Sequence, residues 1–233
     1  MKVLISGGTR GIGNACLKSF LKIGYECIVV SREAPVDNIG DYEHIKCDFS
    51  DIVSVEKLCN IIKTKNIDIL INNVGINEIN DIENHSANSI QEMIQVNCLS
   101  HSNIISSCVP NMKRKKFGRI VNISSIWAQK SIKGRSIYSA SKAYIEGLTQ
   151  SLSCELGAHG IIVNAVSPGF IETDLTNKNM SESVKSEIRK RCPLGRLGKP
   201  KEVADLVIFL ASPSNTYITG ISVLIDGGYS NHG

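Results

Sequence analysis

A tyrosine and a lysine four residues apart, Tyr138 and Lys142, form the clearest chemical pair in the chain, and a serine, Ser125, precedes them. On a helix, residues at this spacing share one face, which brings the lysine ammonium close to the phenol. A free tyrosine has a pKa of about 10, and a nearby cation lowers that pKa by stabilising the phenolate. The pair is therefore suited to general acid–base chemistry. An amphipathic helix with an unrelated tyrosine and lysine is the alternative interpretation.

A glycine-rich turn follows the first apolar run of the chain. Small residues between a strand and a helix let a pyrophosphate approach the backbone, and the helix N-terminus supplies free N–H groups. The turn predicts dinucleotide binding by Gly7, Thr9, Arg10, Gly11, Ile12 and Gly13. The spacing Gly-x3-Gly-x-Gly also occurs in ordinary turns, so it is a weak signal when taken alone.

The second predicted strand ends at Ser31 and Arg32, where an NAD-binding protein usually carries a carboxylate for the ribose 2′-hydroxyl. Arg32 together with Arg10 favours a 2′-phosphate, and therefore NADP. NAD stays possible, because Glu33 follows immediately and Arg32 also fits a solvated loop. Asp48 ends the third predicted strand and is expected to accept a hydrogen bond from adenine, with Phe49 beside it.

Short apolar runs alternate with longer helical patterns along the chain. The predicted strands are Lys2–Ser6, Cys27–Ser31, Ile45–Cys47, Ile67–Asn72, Arg119–Ser124, Ile161–Ser167 and Ser222–Ile225. The predicted helices are Gly13–Ile23, Ile52–Lys65, Ser89–Lys113, Tyr138–His159, Ser181–Arg191 and Lys201–Ala211. This alternation predicts an α/β fold, a Rossmann-type doubly wound parallel sheet of about seven strands. With no linker or repeat, residues 1–233 form one predicted domain, with ligands at the carboxyl edge of the sheet.

The composition is that of an ordinary globular domain. The 233 residues are 42% hydrophobic and 21% charged, which suits a single α/β domain with a full core. A net charge of +4 is small for a nucleic-acid-binding protein. The longest apolar stretch, Leu206–Ala211, is too short to cross a bilayer, and the eight cysteines lack metal-ligand spacing. We therefore expect a cytoplasmic protein with reduced thiols that binds no metal, nucleic acid or membrane.

A series of motifs runs through nearly the whole chain. They are Gly7-x3-Gly11-x-Gly13, Asn72-Asn73-Val74-Gly75, Asn97, Ser125, Tyr138-x3-Lys142, Asn164-Ala165-Val166-Ser167-Pro168-Gly169 and Asp226-Gly227-Gly228. Together they resemble the compact, single-domain branch of the short-chain dehydrogenase/reductase family, and most of all its 3-oxoacyl-[acyl-carrier-protein] reductases. The family usually has Ala where Val74 stands. Its enoyl-reductase branch spaces the tyrosine and lysine more widely, so the spacing here argues against that branch.

The resemblance implies a role for each of four catalytic residues. Tyr138 is the general acid in carbonyl reduction and the base in alcohol oxidation, and Lys142 lowers its pKa and binds the nicotinamide ribose. Ser125 donates a hydrogen bond to the substrate oxygen. Asn97 holds a water that links Lys142 to solvent; a polar residue that kinks its helix is the alternative for Asn97.

The same resemblance implies the rest of the cofactor site. Asn73 and Gly75 line the adenosine ribose side, and the carboxamide of the nicotinamide is clamped by Pro168, Gly169, Ile171 and Thr173. The implied activity is that of an NADP(H)-dependent oxidoreductase that reduces a ketone to a secondary alcohol. Trp127 lines the substrate pocket or packs in the core, and Phe170–Pro200 is a candidate lid.

The substrate class stays open. A 3-oxoacyl thioester is implied if the basic run Lys113–Lys116 docks an acidic acyl carrier protein. The run also fits a solvated loop, and His159 stands where these reductases often have a second arginine, for which Lys130, Lys133 and Arg135 are candidate substitutes. A sugar, polyol or other small hydroxy compound is the alternative substrate. A non-catalytic dinucleotide-sensing protein is the remote alternative.

The resemblance also implies a homotetramer. Its helices Ser89–Lys113 and Tyr138–His159 pack across a two-fold axis, and the expected apolar face consists of Ile104, Ile105, Ile145, Leu148 and Leu152. The C-terminal strand Ile221–Asp226 forms the second expected interface.

Overall fold

Seven parallel strands form one sheet in the computed structural model, which describes residues 1–34, 40–173, 176 and 180–231. The strands are β1 (Lys2–Ser6), β2 (Glu26–Ser31), β3 (Glu43–Lys46), β4 (Ile69–Asn72), β5 (Gly118–Ile123), β6 (Ile161–Pro168) and β7 (Ser222–Ile225). Their order across the sheet is β3-β2-β1-β4-β5-β6-β7, and every neighbouring pair is parallel. The predicted doubly wound sheet is confirmed. The order reverses between β1 and β4, which opens a crevice at their carboxyl ends.

Helices cover both faces of the sheet. They are α1 (Gly11–Lys22), α2 (Ile52–Ile62), α3 (Ala87–Ile94), α4 (Ser100–Lys115), α5 (Ser136–Leu156), α6 (Glu182–Arg191) and α7 (Pro200–Ala211). Successive strand residues point to opposite faces, so Leu4 joins the apolar layer under α2, α4 and α5, while Val3 and Ile5 join the layer under α1 and α7. Because the sheet is buried on both sides, its strands read as continuous apolar runs.

A π-helical turn over Gln95–Leu99 joins α3 to α4, so one long helix runs from Ala87 to Lys115. The predicted helix Ser89–Lys113 lies within it. Such turns widen a helix by one residue and are frequent at functional sites. Here the widened turn carries Asn97, which is completely buried.

The predicted interface between chains is wrong at three of its residues. Ile104, Ile105 and Ile145 are 0%, 3% and 0% exposed within a single chain. Ile104 and Ile105 belong to the apolar layer under the sheet, and Leu148 and Leu152 pack against that layer. Helices α4 and α5 turn their large apolar side chains toward their own sheet, where burial removes the most apolar surface from water. Ile104, Ile105 and Ile145 therefore cannot form the expected outer face.

The basic run is not the expected loop. Lys113, Arg114 and Lys115 form the last turn of α4, where cations interact favourably with the helix C-terminus. Lys116 ends the helix with a left-handed backbone (φ +50°), and the ammonium of Lys115 pairs with Asp68. The run precedes β5, so it lies at the amino edge of the sheet. The carboxyl edge, where parallel sheets bind ligands, is at the other end of the strands.

A buried histidine, His101, lies in α4 beneath the crevice. Its Nε2 donates a hydrogen bond to the carbonyl oxygen of Val74 at 2.8 Å, and its Nδ1 has no hydrogen-bond partner among the described residues. Burial, together with the positive charge of Lys142, lowers the pKa of His101 to about 3. The fold therefore tolerates this side chain only without its proton.

This histidine is expected to make the protein sensitive to acid. Unfolded histidine takes up a proton below pH about 6.5, whereas folded His101 does so only near pH 3. Because the unfolded state binds more protons in this window, the free energy of unfolding falls as the pH decreases, by about 1.4 kcal/mol per unit. Urea unfolding of His101→Gln between pH 7 and 4 should show a shallower pH dependence than the unchanged protein. The control His159→Gln, at an exposed position, should keep the pH dependence of the unchanged protein. Equal pH dependence of the free energy of unfolding in both variants and the unchanged protein would contradict this account.

No helix in the described part of the chain is long and apolar enough to cross a membrane.

Candidate active site

A cavity of about 710 Å³ opens at the carboxyl ends of β1, β2 and β4. The predicted cofactor residues that line it are Gly7, Thr9, Arg10, Gly11, Ile12, Arg32, Asp48, Phe49, Asn73, Gly75 and Thr173. Strand register explains why residues distant in sequence meet here, because Ser6 at the end of β1 lies beside both Val30 in β2 and Asn72 in β4. The cavity is large enough for an extended ligand and lies where a doubly wound sheet binds nucleotides.

The glycine turn at the mouth of the cavity is held by close backbone contacts. A Cβ on Gly13 would lie 2.2 Å from the carbonyl oxygen of Gly7, so Gly13 allows α1 to approach β1 and does not line the cavity itself. The side-chain nitrogen of Asn73 donates to the carbonyl oxygens of Ser6 and Gly7, both at 3.0 Å. The predicted ligand residue Asn73 thus also fixes the turn. The resulting cradle of bare backbone fits a pyrophosphate.

Charged groups surround the far end of the cavity. Arg10 and Arg32 are exposed on its wall, and neither forms an ion pair with another described residue. Asp48 accepts hydrogen bonds from the backbone nitrogen and hydroxyl of Ser50, at 3.0 and 2.7 Å. These bonds, with help from the charge of Arg32, lower the pKa of Asp48. Glu33 lines the same wall, so the site combines two free guanidinium groups with two carboxylates.

The catalytic pair lies at the start of α5, next to the end of β5. Tyr138 is half-buried and hydrogen-bonded to Ser125. Burial raises the pKa of Tyr138, while the Ser125 hydrogen bond and the positive charge of Arg135 lower it. Ser125 follows β5 directly and also accepts a hydrogen bond from the backbone nitrogen of Trp127 at 3.2 Å. The structure therefore brings the predicted acid and the predicted substrate-orienting serine together.

Lys142 lies one helical turn beyond Tyr138 and is buried. Its Nζ donates to the carbonyl oxygen of Ile123 at 2.9 Å and lies 5.7 Å from the centroid of the Tyr138 ring. Burial lowers the pKa of Lys142 to about 8. A Cβ on Gly75 would lie 3.5 Å from this Nζ, so the ammonium lies close to a residue that lines the cavity.

Asn97 reaches the same point from the π-helical turn. Its Oδ1 accepts from the backbone nitrogen of Ile76 at 2.8 Å, and its Nδ2 donates to the Ile76 carbonyl at 2.9 Å and to the Ser141 hydroxyl at 3.0 Å. A Cβ on Gly75 would be 3.5 Å from Oδ1, the same distance as from Lys142 Nζ. Asn97 and Lys142 therefore flank Gly75 from two sides.

An aromatic row forms the wall beyond Tyr138. The rings of Trp127 and Phe170 meet edge to face with centroids 6.1 Å apart, and Phe170 meets Tyr229 in the same way at 5.0 Å. Trp127 is only 8% exposed, so core packing accounts for its position and direct substrate contact stays a prediction. The predicted lid Phe170–Pro200 includes this packed phenylalanine and α6; residues 174, 175 and 177–179 of the lid lie outside the described part.

Three of the four predicted carboxamide-clamping residues lie away from the cavity wall. Pro168 pairs with Ile225 in the sheet, a Cβ on Gly169 would collide with Asp226, and Ile171 is buried. Thr173 lines the cavity and faces Gly11, whose Cβ would lie 3.3 Å from the Thr173 methyl group. The first three residues therefore support the segment that carries Thr173.

Seven lining residues were not predicted from the sequence: Ser31, Glu33, Ser50, Val74, Ile76, Glu92 and Val96. Six of them are one or two positions from a predicted residue, so proximity to Arg32, Asp48, Asn73, Gly75 and Asn97 was the available signal. Glu92 is the exception; it lies in α3, one helical turn before Val96, and no predicted residue is close to it in sequence.

Comparison with known proteins gives one family match and many relatives. A family model described as "Enoyl-(Acyl carrier protein) reductase" matches residues 7–230. The 3-oxoacyl-[acyl-carrier-protein] reductase FabG of Buchnera aphidicola is 39% identical over 232 residues, which cover 96% of this chain and 95% of that protein.

Solved structures with the same architecture carry several activities. The aldohexose dehydrogenase of Thermoplasma acidophilum superposes with a TM-score of 0.92 at 33% identity, covering 100% of this chain and 94% of that one. ElxO with NADP bound superposes with a TM-score of 0.90 at 30% identity, covering 99% and 98%. Each similarity extends over the whole cavity and the segment with Ser125, Tyr138 and Lys142.

Proposed function

Because the chain belongs to the short-chain dehydrogenase/reductase family, we propose that it is an NADP(H)-dependent oxidoreductase that reduces a ketone to a secondary alcohol. The observation that carries this proposal is the position of Tyr138, hydrogen-bonded to Ser125 and one helical turn from Lys142. These groups lie at the carboxyl edge of the sheet, beside a cavity whose glycine turn fits a pyrophosphate.

The residues present fit a nicotinamide dinucleotide phosphate. The glycine turn receives the pyrophosphate, Arg10 and Arg32 receive the 2′-phosphate, and Lys142 and Thr173 hold the nicotinamide end. Gly75 lines the cavity next to Lys142, since a Cβ there would lie 3.5 Å from Nζ. The bound cofactor supplies or accepts the hydride, and the protein supplies orientation and proton transfer.

The proton path follows from the chain's own groups. The Oη of Tyr138 donates its proton to the oxygen of the ketone, while the hydroxyl of Ser125 donates a hydrogen bond that orients that oxygen. Lys142, which is 5.7 Å from the Tyr138 ring, binds the nicotinamide ribose and supports the return of a proton to the phenolate. We propose that Asn97 completes this return through a water beside Gly75.

Reduction of a carbon–carbon double bond, which the description of the matching family model names, is the competing reaction. The close Tyr138–Lys142 spacing and the Ser125 hydroxyl favour a carbonyl, because both groups serve an oxygen that gains a proton. In a carbon–carbon double bond, the carbon that receives the hydride carries no oxygen that could accept the proton.

Two substrate classes compete within the proposal. The relative in Buchnera is a reductase of 3-oxoacyl chains on acyl carrier protein, whereas the Thermoplasma structure is a sugar dehydrogenase. The 39% identity to the Buchnera reductase, over 96% of this chain, favours an acyl chain over a polyhydroxy compound. We propose a 3-oxoacyl thioester as the substrate.

A substrate panel tests this proposal. The oxidation of NADPH is measured with a carrier-linked 3-oxoacyl chain, a free β-ketoester and a keto sugar. A higher kcat/KM for both acyl compounds than for the sugar is expected. Turnover of the sugar alone would replace the acyl proposal, and NADPH binding without turnover of any ketone would support a sensing protein.

The proposal also includes docking of an acyl carrier protein on the basic run, which lies far from the active site of the same chain. The basic run at the end of α4 extends toward His159, because a Cβ on Gly160 would lie 2.3 Å from the carbonyl oxygen of Lys116. This patch lies at the amino edge of the sheet, and Ser125 lies at the other end of β5. A carrier on the patch would therefore serve the site of a second copy of the chain.

We also propose a cytoplasmic homotetramer, with β7 in one interface. β7 is an edge strand, and an apolar strip beside it remains exposed in the single chain. Its residues are Phe209, Tyr217, Ile221 and Leu224, of which Tyr217 is 97% exposed. Exposed apolar side chains next to an open edge are typical of a contact between chains.

Cofactor choice is expected to depend on Arg32. A charge-assisted contact to the 2′-phosphate contributes about 1.5–3 kcal/mol, so NADPH should bind about 10- to 100-fold more tightly than NADH. Arg32→Asp should narrow or reverse this ratio, because it places a negative charge where the phosphate binds. Calorimetric titration of both cofactors measures it. The same substitution at the distant Arg114 is the control, and equal affinity of the unchanged protein for both cofactors would contradict the assignment.

A further inference from the structure

Arg135 is a cation in the active site that the acid–base mechanism described above does not use. It is the residue before α5 and is half-buried. The centre of its guanidinium lies 5.9 Å from the centroid of the Tyr138 ring and 5.7 Å from that of the Trp127 ring. A planar guanidinium binds aromatic faces well, and this one is held between two rings, one of which is the proposed acid.

The charge of Arg135 is not neutralised within the described part of the chain. No carboxylate of that part lies within ion-pair distance of its guanidinium, whereas the neighbouring Lys133 pairs with Asp81 at 3.3 Å. Of the two rings that the guanidinium contacts, only that of Tyr138 can become an anion. The phenolate of Tyr138 is therefore the anion best placed to interact with Arg135.

Lys142 is less suited than Arg135 to stabilise the Tyr138 phenolate at alkaline pH. Its ammonium donates to the Ile123 carbonyl, and burial lowers its pKa to about 8, so it loses its charge as the pH rises. The guanidinium of Arg135 stays protonated over this whole range. Burial lowers the pKa of Arg135, but an arginine starts from a value far above neutrality. His101, behind Lys142, is neutral and adds no charge.

We propose that Arg135 is a positioning residue that acts through Tyr138: its guanidinium stabilises the phenolate left when the Oη–H bond breaks and the proton passes to the substrate oxygen. The phenolate persists until a proton returns from solvent, and the Arg135 charge favours it throughout. In alcohol oxidation the same charge favours the ionised tyrosine that accepts the proton. The kinetic part of this inference rests on the proposed function, and the titration of Tyr138 does not.

The direct test is the ionisation of Tyr138 in the substrate-free protein. Tyrosinate absorbance is titrated with pH, and the Tyr138 contribution is isolated by subtracting the same titration of a matching Tyr138→Phe variant. In Arg135→Gln the Tyr138 transition should move to higher pH, because a stabilising cation is lost. Arg135→Lys should restore most of the shift, and the control Lys133→Gln should leave the transition in place. Equal transitions in Arg135→Gln and the unchanged protein would overturn the proposal.

Kinetics provide the second readout. An opposite charge at this range changes a pKa by about one unit or more, which corresponds to about a tenfold change in the ionised fraction. The kcat for alcohol oxidation below neutral pH should therefore fall about tenfold in Arg135→Gln and recover in Arg135→Lys, with the KM for NADP unchanged. The proposal would be overturned if Arg135→Lys did not restore the kcat for alcohol oxidation. It would also be overturned if the pH dependence of kcat were the same in Arg135→Gln as in the unchanged protein. Absence of ketone turnover in the unchanged protein would instead refute the proposed function and leave the titration result standing.

Discussion

Replacing Tyr138 by phenylalanine is expected to reduce kcat by about 10²- to 10⁴-fold, the usual contribution of a general acid. The substitution removes the hydroxyl that gives its proton to the substrate oxygen and leaves the ring in its cluster with Trp127 and Phe170. The affinity for NADPH and the melting temperature should therefore change little. Steady-state kinetics with a ketone, together with a cofactor titration, measures both quantities.

A second tyrosine on the same helix provides the matched control. The hydroxyl of Tyr144 is 2.7 Å from that of Ser102 on α4 and lies away from the cavity. Tyr144→Phe removes the same atom from the same element and should keep kcat close to that of the unchanged protein. If Tyr138→Phe retained more than about a tenth of kcat, Tyr138 would not be the general acid.

Replacing Gly13 by alanine is expected to give the largest loss of stability. The new Cβ would lie 2.2 Å from the Gly7 carbonyl oxygen and 2.6 Å from Asn73 Nδ2, so the turn and α1 must separate. Overpacking costs about 1–3 kcal/mol, and a collision with backbone belongs at the upper end. For a chain of this length, about 3 kcal/mol lowers the melting temperature by roughly 6–12 °C. The affinity for NADPH should fall as well, because the same turn receives the pyrophosphate.

Gly147→Ala is the control that shows the effect of replacing a glycine by alanine where no collision occurs. It lies in α5 with no atom within 4 Å of its would-be Cβ. Gly147→Ala should raise the stability by about 0.5–1 kcal/mol, because alanine favours the helix. Thermal unfolding of the two variants should therefore show shifts of opposite sign. A Gly13→Ala protein as stable as the unchanged one would refute the close packing of α1 on the turn.

The parallel sheet and its strands were predictable because burial on both faces leaves a simple signal. Strands such as Val3–Ile5 are apolar at every position, and the helices between them carry one apolar face each. The glycine turn and the Tyr138–Lys142 pair were predictable for another reason: both depend on local spacing within one turn or one helix. Features of this kind can be predicted from a few consecutive residues.

Contacts between distant segments were harder to predict. The apolar side chains of Ile104, Ile105 and Ile145 follow helical spacing, but spacing does not say whether a sheet or another chain covers them. The sequence indicates Arg135 only as a surface cation, because its position over Tyr138 and Trp127 depends on how the loop after β5 folds back.

The most direct test of the central claim is the identity of the product formed from two matched thioesters. The protein is incubated with NADPH and either a 3-oxoacyl or a trans-2-enoyl thioester of equal chain length, and products are identified by mass spectrometry. Carbonyl reduction predicts a 3-hydroxyacyl product from the first and unchanged starting material from the second. A saturated acyl product from the enoyl thioester, with no 3-hydroxyacyl product from its partner, would contradict the assignment of Tyr138, Ser125 and Lys142 to ketone chemistry.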